Sequence, residues 1–292
     1  MNKKKIYPQW FLIVPLVLYA VFFLLPGVLG VAYSFTDWNV RSLGELNFIG
    51  LDNYIEIFTS DKNYTAGIFN TLKFTVISNI IKLTTGLFLA IMLKEKLKGK
   101  SIYRTLLYLP SVLPFLIIGL IFKSVLNYNN GLLNTFLEFI NLGFLKQKWL
   151  SDLSVVWKSI YGVDAWRGIG YVMTIFLAGL NTIPQSYYDA ASIDGVSFWQ
   201  KLIHITLPNL TGSITINLVF GLTYGLKVFD IIYVLTNGGP GHTTEVVTTY
   251  VYQLYANGQY GLSVSLNTIL FVITMMIGLL VVKYMGKQEV QQ

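Results

Sequence analysis

Long apolar runs separated by short polar stretches organise this chain, and about 20 apolar residues suffice to cross a bilayer as a helix. Six such runs can be marked, near 10–35, 68–93, 105–123, 155–180, 210–235 and 262–283. Residues 6–36 carry no charge, more than the core of a signal peptide needs. Lys3, Lys4 and Lys5 before them read as a cytoplasmic flank that keeps the first span as an anchor. The pattern predicts an all-α membrane protein with six transmembrane helices in a single domain over 1–292. Lysine and arginine outside the spans number eleven on the side of the N-terminus and six on the other. That bias predicts cytoplasmic N- and C-termini by the positive-inside rule.

Between the fourth and fifth runs lies an island of polar, small and turn-forming residues over 181–209. It reads as two short helices joined at Asp194-Gly195. Pro184 suits a first helical turn, where its missing N–H costs nothing. Asp194 suits the cap of the following helix, Gly195 the tight turn, and Pro208 the close of the second helix. On the opposite side, Asn237-Gly238-Gly239-Pro240-Gly241 is a dense cluster of helix breakers that opens a loop ending near Gly261. Asp37, Glu45, Asp52, Glu56 and Asp61 make the first outer loop acidic.

Composition narrows the chemistry. Charged residues are 12% of the chain, against about 25% in a typical soluble domain. There are no cysteines, so disulfides and thiolate metal sites are excluded, and His204 and His242 are too few for a histidine site. The net charge of +7 reflects orientation in a membrane rather than nucleic-acid binding. Gly99-Lys100-Ser101 resembles the end of a phosphate-binding loop, but position 94 is Lys and no buried strand precedes it. The chain is therefore expected to bind no nucleotide of its own. No catalytic set stands out, so it does not read as an enzyme.

Charges within spans are the informative exceptions, because each costs about 2.5–3.5 kcal/mol at the bilayer centre on insertion scales. Asp164 and Arg167 share a helix face and could pair, and Lys227 and Asp230 repeat that spacing. Lys82 has no local partner, which makes Asp230 or Asp164 its candidates, while Lys73 can snorkel to the interface. These charges either pair structurally between helices or line a solute pathway. Trp166, Tyr171, Phe220, Tyr224 and Phe229 gather in or near the fourth and fifth runs. Sugars stack their apolar ring faces on aromatics while amides and charges take their hydroxyls, which makes Trp166, Asn217 and Tyr224 candidates. The substrate-pathway set is thus Trp166, Arg167, Asn217, Tyr224, Lys227 and Asp230.

Asp189-Ala190-Ala191, then Gly195, then Ile205-x-Leu207-Pro208 has the spacing of the cytoplasmic "EAA" loop, and the chain resembles the permeases of bacterial ABC importers that carry it. Asp189 stands where the family usually has Glu, and Val196 where Ala is usual. The likeness extends through Arg104-Thr-Leu-Leu-Tyr-Leu-Pro110 with Pro114, Trp166-Arg167-Gly168-Ile169-Gly170 and the Phe229–Thr236 segment with Gly238-Gly239-Pro240. It is closest to the maltose- and glycerol-phosphate-type, carbohydrate-uptake branch. The resemblance implies a multi-pass subunit of the bacterial cytoplasmic membrane, paired with a second, usually different permease. Two ATPase subunits would hold ATP and Mg, and an extracytoplasmic solute-binding protein would deliver a sugar or oligosaccharide. It places ATPase coupling on Asp189, Ala190, Ala191, Asp194, Gly195, Ile205, Leu207 and Pro208. Alternatives are an ABC permease for a polyol, glycerol phosphate or polyamine, and an ion-coupled secondary transporter.

Overall fold

The computed structural model describes residues 9–41, 46–59, 62–94 and 98–289, the side chains of 9, 282 and 284–289 excepted. Lys3, Lys4, Lys5, Glu45 and Asp61 lie outside the described residues, as does Lys96 of the charged stretch after the second span. The described residues form helices joined by loops, with one isolated bridge between Thr36 and Phe48 and no strand. They fall into two compact units, 1–65 with 250–272, and 66–249 with 273–292.

The first unit begins with α1 (Trp10–Tyr33), which is apolar and buries none of its side chains within the chain. A π turn at Ala20–Leu24 precedes Pro26, the adjustment by which a membrane helix absorbs a proline. Ser34 ties the end of α1 down. Its hydroxyl donates to the Val31 carbonyl at 2.6 Å. Its own carbonyl accepts from Asn53 Nδ2 on α2 (Asp52–Thr59) and from Ser265 Oγ, each at 2.9 Å. Trp38 packs against Tyr260 at a tilt, with ring centroids 5.0 Å apart.

The second unit is built on α3 (Lys62–Lys94), which continues from the first, and on α7 (Val156–Thr182). The third apolar run is not one straight helix. It divides into α4 (Lys100–Val112) and α5 (Phe115–Val125), bent by 98°. Pro114 forces the bend, because the residue before a proline is pushed out of the α region, and Leu113 is extended with ψ 139°. α6 (Leu132–Phe139) follows. The 181–209 loop forms two helices as expected, α8 (Gln185–Ile193) and α9 (Phe198–Asn209), with Gly195 at φ +69° between them.

Three details of that loop differ from expectation. Ser197, not Asp194, caps α9, in a reciprocal capping box with Gln200. Pro184 is the residue before α8 rather than within its first turn. Pro208 lies inside the last turn of α9, after a π turn at Leu202–Thr206, and α9 ends with a 72° bend into α10 (Thr211–Leu226). The fifth apolar run is also interrupted: α10 stops at Leu226 and α11 (Asp230–Leu235) starts afresh. α12 (Val247–Ala256) lies in the loop after the breaker cluster, and α13 (Tyr260–Glu289) completes the chain.

α7 is the centre of the second unit and packs against α4, α10 and α11, while α5 packs on α11. Two buried apolar clusters flank its polar middle, one around Phe74, Ile160 and Ile231, the other around Met173, Phe176 and Leu180. Lipid tails are as apolar as leucine, so such helices associate through close packing at small residues. A Cβ on Gly170 would sit 2.0 Å from the Leu107 carbonyl oxygen of α4, and one on Gly86 would sit 2.7 Å from a methyl of Val172.

Candidate functional site

Two polar regions interrupt the apolar body of the second unit. The first is a cavity of about 290 Å³ between α3, α4, α7 and α10. Asp164 of α7 projects into it, 2% exposed, and Lys82 of α3, 6% exposed, places Nζ 3.0 Å from Asp164 Oδ2. Ser78, one turn earlier on the same face of α3, donates its hydroxyl to that oxygen. Tyr224 of α10 donates to Oδ1 at 2.8 Å, and its ring lies 4.5 Å beneath the Lys82 ammonium. One carboxylate therefore gathers groups from two other helices. This answers the question of the partner of Lys82 in favour of Asp164 over Asp230.

Arg167 does not pair with Asp164, although it is one helical turn away. Both carboxylate oxygens are already taken by donors from α3 and α10. The guanidinium instead lies flat on Phe115 of α5, 3.4 Å from the ring centroid. Its buried Nε has no hydrogen-bond partner among the described residues. Asn217 of α10 lines the same cavity; its Nδ2 donates to the Val172 carbonyl at 3.4 Å, while its buried Oδ1 has no partner among the described residues. Tyr171 and Phe220 complete an aromatic wall, edge to face with centroids 6.2 Å apart.

The remaining candidates for the solute pathway lie elsewhere. Trp166 is exposed and packs on Phe122, away from the cavity lining. Lys227 and Asp230 are exposed and do not pair with each other, because the break after Leu226 destroys the helical spacing that would have aligned them. Residues not anticipated here are Ser78, Asn79, Tyr108 and Ser111. Ser78 carried a signal, four residues before Lys82; the others lie among ordinary span residues.

The second region is the α8–α9 pair. Tyr188 and Thr206 join their hydroxyls at 3.1 Å, and Lys201 Nζ donates to Ser192 Oγ at 2.7 Å. Between these helices and the ends of α3 and α7 is a groove of about 760 Å³, with the Lys94 ammonium 4.1 Å above the Tyr188 ring. Ala191 is buried against this frame, whereas Asp189, Ala190, Asp194 and Gly195 face outward. Ile205 and Leu207 are half-buried and Pro208 is exposed. Ile193 is 87% exposed and Trp199 68%. Among the described residues Asp189 is held only by Gln185 Nε2, at 3.2 Å. Among the described residues no cluster of side chains suits a metal ion.

Residues 82–288 match the family described as binding-protein-dependent transport system inner membrane component. The chain is 35% identical over 282 residues to the multiple sugar-binding transport system permease protein MsmF of Streptococcus mutans, covering 96% of this chain and 95% of that one. It is 31% identical over 266 residues to the trehalose/maltose transport system permease protein MalF of Thermococcus litoralis, covering 91% and 89%. In fold it is similar to a chain of a bacterial ABC transporter involved in import of the acidic polysaccharide alginate, at TM-score 0.82, 23% identity and 95% and 94% coverage. The chain thus belongs to the binding-protein-dependent inner membrane components, the plasma-membrane permease subunits of ABC importers, which are not themselves enzymes.

Proposed function

We propose that this permease passes a sugar or oligosaccharide across the membrane through the cavity between α3, α4, α7 and α10. The observation that carries the reading is the combination of aromatic faces with unpartnered polar atoms around open volume in an otherwise apolar body. Arg167, Asn217 and Tyr224 are the residues assigned to the pathway; Trp166, Lys227 and Asp230 are left out of it. An extracytoplasmic solute-binding protein delivers the sugar; a chain of similar fold belongs to a bacterial alginate ABC transporter solved in complex with an alginate pentasaccharide-bound periplasmic protein.

The spans in this reading are α1, α3, α4 with α5, α7, α10 with α11, and α13. They form one permease domain with both termini in the cytoplasm, beside a second permease. The α8–α9 pair then faces two ATPase subunits, which hold the ATP and Mg. Ile193 and Trp199 are apolar side chains that water does not favour at such exposure, and Asp189 is free to accept a charge-assisted hydrogen bond. Gly195 fixes the angle between the two helices.

The test is reconstitution of the permease pair, ATPases and binding protein in proteoliposomes. Uptake of labelled maltose, trehalose or another oligosaccharide should require ATP and fall at least tenfold in Asp189→Lys. Uptake that persists without ATP or the ATPase, driven by an ion gradient, overturns the assignment.

A further inference from the structure

Arg167 and Asn217 present two unsatisfied groups of opposite hydrogen-bonding character to one cavity. Nε of Arg167 is a buried cationic donor and Oδ1 of Asn217, on a residue 2% exposed, is a buried acceptor. A buried polar atom without a partner costs about 1–3 kcal/mol, more for a charged group, so both positions are expected to be satisfied by something absent from the chain itself. The charge balance of the cavity says what. Lys82 and Asp164 neutralise each other at 3.0 Å, and Ser78 and Tyr224 occupy what is left of the carboxylate. Arg167 is then the charge lining the cavity without an ion pair among the described residues, with the Asp230 carboxylate acting on it electrostatically from outside the lining.

Its posture is equally specific. Stacking on Phe115 uses the face of the guanidinium and leaves its N–H edge free in the plane, the geometry that receives a planar oxyanion through two parallel hydrogen bonds. A lone inorganic anion would satisfy Arg167 but not Asn217, which needs a hydroxyl or amide donor. From this pairing we infer that the solute is a saccharide bearing an anionic group, its oxyanion held edge-on by Arg167 and a hydroxyl donated to Asn217 Oδ1. A uronate carboxylate fits the planar fork best; a sugar phosphate shares the chemistry. The inference rests on the cavity being the solute pathway. The volume of about 290 Å³ is at the lower end of ligand sites, enough for a short segment of a saccharide.

The absence of cysteine allows a direct test. Ser111→Cys places a single thiol on the cavity wall, and its reaction with a maleimide is followed in the purified importer in nanodiscs. Digalacturonate is compared with its carboxyl-reduced neutral form, and glucose 1-phosphate with glucose. Digalacturonate should protect the thiol at concentrations about tenfold or more below its neutral form. Arg167→Gln should erase that difference and Arg167→Lys restore part of it. Asn217→Asp should weaken the anionic sugar about tenfold while sparing the neutral one, a test that leaves Arg167 intact.

Labelling without sugar reports whether each variant keeps its cavity. Protection by glucose 1-phosphate alone, dependent on Arg167, supports the inference with phosphate as the anion. Equal protection by neutral and anionic sugars, unchanged in Arg167→Gln, overturns the anion and leaves the sugar pathway standing. Failure of every sugar to protect, with uptake unaffected by the bound maleimide, overturns both. Loss of subunit co-purification in Arg167→Gln without any sugar protection assigns Arg167 to a neighbouring subunit and overturns the inference as well.

Discussion

The cluster around Asp164 and the loop around Asp189 both place an acidic residue in a polar interruption of an apolar sequence, and they use it in opposite ways. Asp164 is buried and both of its oxygens accept from other helices, Oδ2 from Lys82 and Ser78 and Oδ1 from Tyr224. Asp189 is exposed and held by one glutamine of its own helix. An acid surrounded by donors of its own chain contributes to the fold. An acid left available on a surface flanked by exposed Ile193 and Trp199 contributes nothing to the fold and is kept for a partner. The difference teaches that depth alone does not identify function in this chain; the count of unfilled hydrogen-bonding positions does.

The largest test of that contrast is Asp164→Ala, which strands a buried ammonium on Lys82. Removing one partner of a buried pair costs about 3–5 kcal/mol, and thermal unfolding of the detergent-solubilised protein should register it. The paired change Lys82→Met with Asp164→Leu should recover most of the loss, because it removes both charges together. Next comes Gly170→Val, which forces a side chain where the Leu107 carbonyl lies and should cost about 1–3 kcal/mol by the same assay.

Ser197→Ala removes the cap of α9 and should cost about 1 kcal/mol, read as faster proteolysis or hydrogen exchange of the loop alone. Smallest in stability is Asp189→Lys, within about 0.5 kcal/mol of wild type, although uptake by the assembled importer should be lost. Equal stability losses in Asp164→Ala and Asp189→Lys would erase the distinction between the two regions.

Much of this was legible in the sequence. An aspartate and a lysine inside apolar runs announce a polar site wherever they fall, because lipid makes them expensive. What the spacing could not decide was which groups meet. Asp164 and Arg167 are neighbours on one helix, yet the carboxylate is filled by Lys82 and Tyr224, far away in the chain, and the competition is settled by tertiary packing. The bend at Leu113 was written in Pro114, whereas the break after Leu226 has no proline to mark it. There the last amides of α10 turn inward to carbonyls three residues back, from Lys227 to Tyr224 and from Val228 to Gly225. The cap of α9 was available in Ser197-Phe198-Trp199-Gln200, a capping-box spacing overshadowed by the more obvious Asp194-Gly195 turn.

The close glycine contacts also govern how this part of the chain can move. Gly86 meets Val172, Gly170 meets the Leu107 carbonyl, and Gly225 meets Thr75, with no room for even one methyl between them. Notched together in this way, α3, α4, α7 and α10 cannot slide along one another without a collision of backbones. A block that resists shear is left with rotation. The articulations available to it are where helical hydrogen bonding is already interrupted, at Leu113–Pro114 and between Leu226 and Asp230. Stiffness in the body thus concentrates motion at two joints, and a stroke applied at one end of such a block arrives at the other undiminished.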